Sequence, residues 1–147
     1  MKLFFVKGFN MLKKIPELIS RITIGYVFIE SGIGKFQNIA NVVSYFESLK
    51  IPLASIQAPM VATFELIFGI FILLGFFTRL STLPLIGIMT VALITAKAED
   101  ITSFSSLIGI SEFLYIVILI WLTANGSSVL SIDSWRSRSQ RKESCQR

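Results

Sequence analysis

The sequence has no histidine and a single cysteine, Cys145. With one thiol there is no intrachain disulfide, no Cys-x-x-Cys redox pair, and no thiolate set for zinc or an iron–sulfur cluster. Without histidine there is no imidazole ligand for a haem, so no metal centre is expected. Charge is scarce too: acidic and basic residues together make up 16% of the chain. Any redox chemistry must therefore use a carrier that is not covalently bound, or one that a partner brings.

Apolar residues, in contrast, are abundant. They form 53% of 147 residues, too many for an ordinary soluble domain and about right for one integral membrane domain. Four apolar segments, at about 17–36, 58–77, 80–97 and 105–124, predict an all-α membrane protein. Short connections between them predict an antiparallel four-transmembrane-helix bundle. Residues 1–16 mix lysines with bulky apolar residues and read as a basic amphipathic segment lying on the cytoplasmic membrane surface. The membrane domain is expected over 17–133, and 134–147 as a disordered basic tail.

Between the first two spans, Ile39, Val43, Phe46 and Leu49 are spaced for a short amphipathic helix ending before Ile51-Pro52. Thr78-Arg79 reads as the tight turn between spans two and three.

The net charge of +5 is explained by topology. Lys2, Lys7, Lys13, Lys14, Arg21, Arg79 and the tail's Arg136, Arg138, Arg141, Lys142 and Arg147 fall on one side of a four-span chain. The other side has Lys35, Lys50 and Lys97. That asymmetry predicts both termini in the cytoplasm and a bacterial inner-membrane location. No folded basic surface remains outside the spans, so the expected partner is the lipid bilayer and not nucleic acid.

Ionisable residues inside spans are expensive and must face protein or water. Glu65, Glu112 and Glu30 sit roughly 8–10 Å below the outer ends of their spans, and Lys35 lies near the same level. Two readings follow. One is an outward-open polar pocket of Glu65, Glu112 and Lys35, with Glu30 nearby, that handles protons. The other is a Lys–Glu lock between helices. Arg21 and Arg79 lie at the cytoplasmic rim, where snorkelling to headgroups is the simpler role. Gly25, Gly32, Gly69 and Gly75 read as helix-packing positions. No catalytic residue is assigned.

In order along the chain, these residues resemble the DoxX family of small four-span membrane proteins. The first span has R-x3-G-x2-F-x3-G-x2-K (Arg21, Gly25, Phe28, Gly32, Lys35), and the second has E-x3-G-x5-G-x2-T-R (Glu65, Gly69, Gly75, Thr78, Arg79). The fourth adds Glu112 with Leu114-Tyr115, then Gly126 and Ser131-Ile132-Asp133. Phe68 and Ile70 flank Gly69, where the family often has a second glycine.

The resemblance implies an accessory or anchor subunit of a quinone-linked, thiol-related or oxidative-stress-related oxidoreductase system. It implies a quinone as cofactor, with a soluble redox partner or membrane subunit, or a homo-oligomer, as partners. A small transporter or permeation protein and a purely structural scaffold are the alternatives.

Overall fold

The computed structural model describes residues 14–126. Most of the expected N-terminal segment and all of the basic tail lie outside the described residues. Among the described residues, six α-helices follow one another: α1 (Lys14–Gln37), α2 (Ile39–Ser48), α3 (Ala54–Leu74), α4 (Thr78–Thr95), α5 (Phe104–Gly109) and α6 (Ser111–Asn125). A single 3-10 turn, Ala98–Asp100, lies between α4 and α5. There is no strand among the described residues.

The long helices form two antiparallel pairs. In the first, α1 and α3 meet through residues without side-chain bulk. A Cβ on Gly25 would lie 2.9 Å from Leu73 Cβ and 3.0 Å from the Gly69 carbonyl oxygen. One on Gly32 would lie 2.9 Å from the Leu66 nitrogen and 3.0 Å from the Ala62 carbonyl oxygen. Gly69 returns the contact, with Phe28 Cβ and the Ile29 nitrogen each 3.1 Å from its own missing Cβ. Small residues seven apart on both helices (Gly25 and Gly32, Ala62 and Gly69) keep the backbones this close over two turns, as in membrane helix pairs generally. Gly32→Ala is expected to push α1 off α3 and lower stability by about 1–3 kcal/mol, whereas Gly87→Ala, where a Cβ meets nothing within 4 Å, is expected to be neutral. Thermal denaturation of the two variants in detergent checks this.

The second pair, α4 and α6, is joined by the Thr82 and Thr123 hydroxyls, 2.7 Å apart. Ile24, Phe28, Ile72, Leu85, Met89, Leu119 and Leu122 form the core between the pairs. The Phe28 and Tyr115 rings, with centroids 6.2 Å apart, link α1 to α6.

The turn between α3 and α4 is Gly75–Phe77, three residues earlier than Thr78-Arg79. Gly75 adopts a left-handed φ of 67°. Its N–H donates to the Ile72 carbonyl at 3.1 Å, and the Phe76 N–H donates to the Phe71 carbonyl at 2.8 Å. These two bonds make a Schellman stop, which needs a residue without Cβ strain. Gly75 therefore ends α3, and it is buried there. Thr78 and Arg79 then begin α4.

The last expected span is broken. Ser103 caps α5, its hydroxyl accepting the Ser106 N–H at 3.2 Å. Ile110 is extended at φ −81°, ψ 125° and separates α5 from α6. Helix α6 has 15 residues, ~22 Å of length. The serine cap fixes α5 on its own axis, and Gly109, a weak helix former, allows the bend.

Helices α3 and α4 are long and apolar enough to cross a membrane. Their outward faces carry Ile67, Ile70, Leu73, Leu74, Leu80, Leu83, Val91 and Ile94, all exposed. Val117 and Ile120 continue that surface on α6. A surface this apolar belongs in lipid, and the protein is an all-α membrane protein.

Candidate functional site: a buried ion pair and two arginine caps

The end of the bundle away from the described termini holds a charged cluster between α1 and α3. Glu65 is 1% exposed and forms an ion pair with Lys35, whose side chain is 24% exposed. Ser31, one turn before Lys35, completes the group: its hydroxyl donates to Glu65 Oε2 at 3.0 Å and accepts from Lys35 Nζ at 2.6 Å. The close approach of the backbones places it there. Gly32 and Ala62 let α1 and α3 touch, so a lysine on one and a glutamate on the other meet across the seam. Ala54 and Ala58 of α3 are buried beyond this level, where α2 packs against α3.

The carboxylate thus has two donors, one of them its counter-ion, the condition for burying a charge. The lysine has three donor hydrogens, and Glu65 and Ser31 use two. Its partial exposure leaves the third within reach of an acceptor from outside.

The other carboxylates do not join this cluster. Glu112 lies in the first turn of α6, where its Oε2 accepts the Ser111 hydroxyl at 2.9 Å. It shares no hydrogen bond with Lys35 or Glu65 among the described residues. Glu30 is exposed and faces away from the bundle. At ~100° per residue, five residues separate Glu30 from Lys35 by more than a third of a turn, enough to turn it outward.

Of the two arginines, Arg21 differs from the expectation of snorkelling. Arg21 is 1% exposed. Its Nε donates to the Ile72 carbonyl at 3.2 Å and its Nη2 to the Leu73 carbonyl at 3.3 Å. A guanidinium at the C-terminal end of α3 donates to two carbonyls of its last turn, of which that of Ile72 also accepts the Gly75 N–H, and offsets the negative end of the helix dipole. Arg79 is exposed, yet Nη2 donates to the Ala124 carbonyl at 3.3 Å, near the end of α6. Its Nε lies 2.8 Å from where a Gly126 Cβ would be. Each arginine therefore caps the helix its own helix pairs with.

Glu17, one turn before Arg21, is buried as well, with Thr78, Ser81 and Thr82. Ser31 and Glu17 were not singled out by sequence, although both stand four residues from a charged residue on the same stripe, Lys35 and Arg21.

The family model named DoxX matches residues 17–98. Those residues contain Arg21, Gly25, Gly32, Lys35, Glu65 and Gly69, the positions that build the α1–α3 seam. The chain belongs to the DoxX family. A relative from Bacillus subtilis (strain 168), named "Putative oxidoreductase CatD", is 33% identical over 130 residues, covering 84% of this chain and 89% of its own. No solved structure matches. The two arginine caps and the Lys35–Glu65 pair are thus features of a DoxX protein, seen here at atomic detail.

Proposed function

We propose that this DoxX protein is an accessory membrane subunit of an oxidoreductase system and works through the Lys35–Ser31–Glu65 cluster. The observation that supports it most is an almost fully buried carboxylate paired with a lysine that remains reachable. The oxidoreductase name of the Bacillus subtilis relative supports the reaction class. In this reading the cluster lies towards the outer face of a bacterial inner membrane, and both termini are cytoplasmic, where a soluble redox partner can dock.

The residues fit a quinone. An apolar lipid-facing bundle with a reachable ammonium suits a greasy molecule that has a carbonyl oxygen. When bound, a quinone supplies two-electron, two-proton carrier chemistry. Lys35 would hold an acceptor oxygen of the quinone with its remaining N–H. Glu65 takes up or gives back a proton at the pair, and Ser31, which both donates and accepts, connects the two groups. Intramembrane carboxylates commonly mark ion pathways and proton relays.

Glu65→Gln keeps the shape and removes the proton-accepting group. We expect quinone to co-purify with both the wild type and Glu65→Gln. Quinone-linked turnover in membranes is expected to fall about 100-fold in the variant, the usual order for loss of an acid–base group. Mass spectrometry of the detergent-purified protein reads the first and quinone reduction in membranes the second. Absence of quinone from the wild type, or unchanged turnover, would end this reading.

A further inference from the structure

Helix α2 is docked shallowly. None of its residues is buried. Ile39, Val42, Val43 and Phe46 share one stripe and are half-buried, while Asn41, Ser44, Tyr45 and Glu47 are exposed. The helix packs on α3, where Ala54 and Ala58 are buried. Those alanines share a stripe with Ala62 and Glu65, and Ala58 stands ~10 Å outward of Glu65. The way from outside water along the α1–α3 seam to Glu65 thus runs under α2.

The linker that holds α2 in place is strained. Helix α2 stops with the same pair of bonds as α3: the Lys50 N–H donates to the Glu47 carbonyl at 2.9 Å, and the Ile51 N–H to the Phe46 carbonyl at 3.0 Å. In α3 a glycine takes the left-handed position of this stop. In α2 Lys50 takes it, at φ 57°. Leu53, three residues on, is left-handed again at φ 53°. A residue with a Cβ is disfavoured there, and leucine has no polar group to offset the cost. Gln57 Nε2 donates to the Pro52 carbonyl at 2.7 Å and holds the linker in this form from the first turn of α3. On the other side, Asn38 alone separates α1 from α2, at φ −127°, ψ 39°.

We propose that α2 is a hinged lid that admits water from the outer face to Glu65. This rests on the reading of Glu65 as a proton acceptor, since a carboxyl that is 1% exposed must meet water to complete a cycle. With the lid shut, the carboxylate is sheltered, and Lys35 is the part of the pair that a ligand can reach. With the lid open, water enters over Ala58. The proton then passes from the Glu65 carboxyl to that water, which leaves the carboxylate paired with Lys35. An element with few buried contacts opens well before the bundle unfolds, and a strained tether favours the opening, because Lys50 and Leu53 relax once α2 leaves.

The test follows the lid without quinone, so it can fail while the quinone reading stands, and the reverse. Hydrogen exchange of the full chain in lipid nanodiscs reads α2 directly. The amides of residues 43–48 are expected to exchange together, about 100-fold or more faster than those of residues 66–74 in α3. Lys50→Gly with Leu53→Gly relieves both left-handed positions and is expected to slow them about tenfold. Gln57→Ala frees Pro52 and is expected to speed them about fivefold. Access to the pair is read with Ser31→Cys in a Cys145→Ser chain, using an anionic, membrane-impermeant thiosulfonate added from outside. Its labelling rate is expected to fall in the glycine background and rise in the Gln57→Ala background. Protection of residues 43–48 equal to that of α3, or glycine changes that leave their exchange as it was, would rule out the hinge. A labelling rate that stays constant while the exchange changes would rule out control of the pair by α2.

Discussion

Lys35→Met should destabilise the protein more than Glu65→Gln, although both break the same ion pair. The difference follows from burial. Glu65 is 1% exposed, and without Lys35 its charge stays trapped beside Ser31 alone. Removing one partner of a buried pair costs about 3–5 kcal/mol. In Glu65→Gln the orphan is Lys35, whose partly exposed ammonium can snorkel towards water. Its loss is expected to be about 1 kcal/mol, the worth of a single net hydrogen bond.

The double change Lys35→Met with Glu65→Leu removes both charges and is expected to recover most of the stability, since apolar replacements of buried pairs are often neutral. Thermal midpoints of the three variants in one detergent decide it. Equal losses for the two single variants would show that the pair is far more hydrated than its burial implies.

Arg21→Ala is expected to be the most damaging change at the opposite end. It takes a donor from the Leu73 carbonyl and one from the Ile72 carbonyl, which keeps the Gly75 N–H, and leaves a cavity where a large buried side chain stood. The lost charge-assisted hydrogen bonds and the cavity together put the loss at about 2–5 kcal/mol. Arg21→Lys is expected to rescue little, because one ammonium cannot address two successive carbonyls as the fork of a guanidinium does. Arg79→Ala, at the exposed equivalent, is expected to cost under about 1 kcal/mol. Denaturation of these variants side by side checks the order; a loss for Arg79→Ala as large as that for Arg21→Ala would contradict the capping account.

How much of this could be read from the chain depended on which physical signal carried it. The apolar segments and the stripe of Arg21, Gly25, Phe28, Gly32 and Lys35 are periodic, and membrane burial enforces that period, so the helices and the α1–α3 seam were legible. The level shared by Lys35 and Glu65 was legible for the same reason, through the rise per residue. The fate of Arg21 was not. A sequence shows an arginine near a helix start; it does not show that α3 stops, at Gly75, with its last carbonyls against that arginine.

The bend at Ile110 was hidden for a different reason. Residues 105–124 are uniformly apolar enough for a span, and the break comes from a local competition between the Ser103 cap and helix continuation. Grouping Glu30 with the pocket treated depth as proximity: it shares a level with Glu65 but not a face.

The charges of α1 also bear on how the chain enters the bilayer. Lys14, Glu17, Arg21, Glu30 and Lys35 all lie on this one helix, and it is absent from the helices apolar enough to cross unaided. A charged residue at the centre of an isolated inserting helix costs about 2.5–3.5 kcal/mol. Helix α1 leaves the ribosome before the helix that supplies the Arg21 acceptors and the Lys35 counter-ion. It is therefore expected to wait at the insertion machinery or the interface until α3 is made, and to settle in the membrane as half of a hairpin whose other half does the inserting.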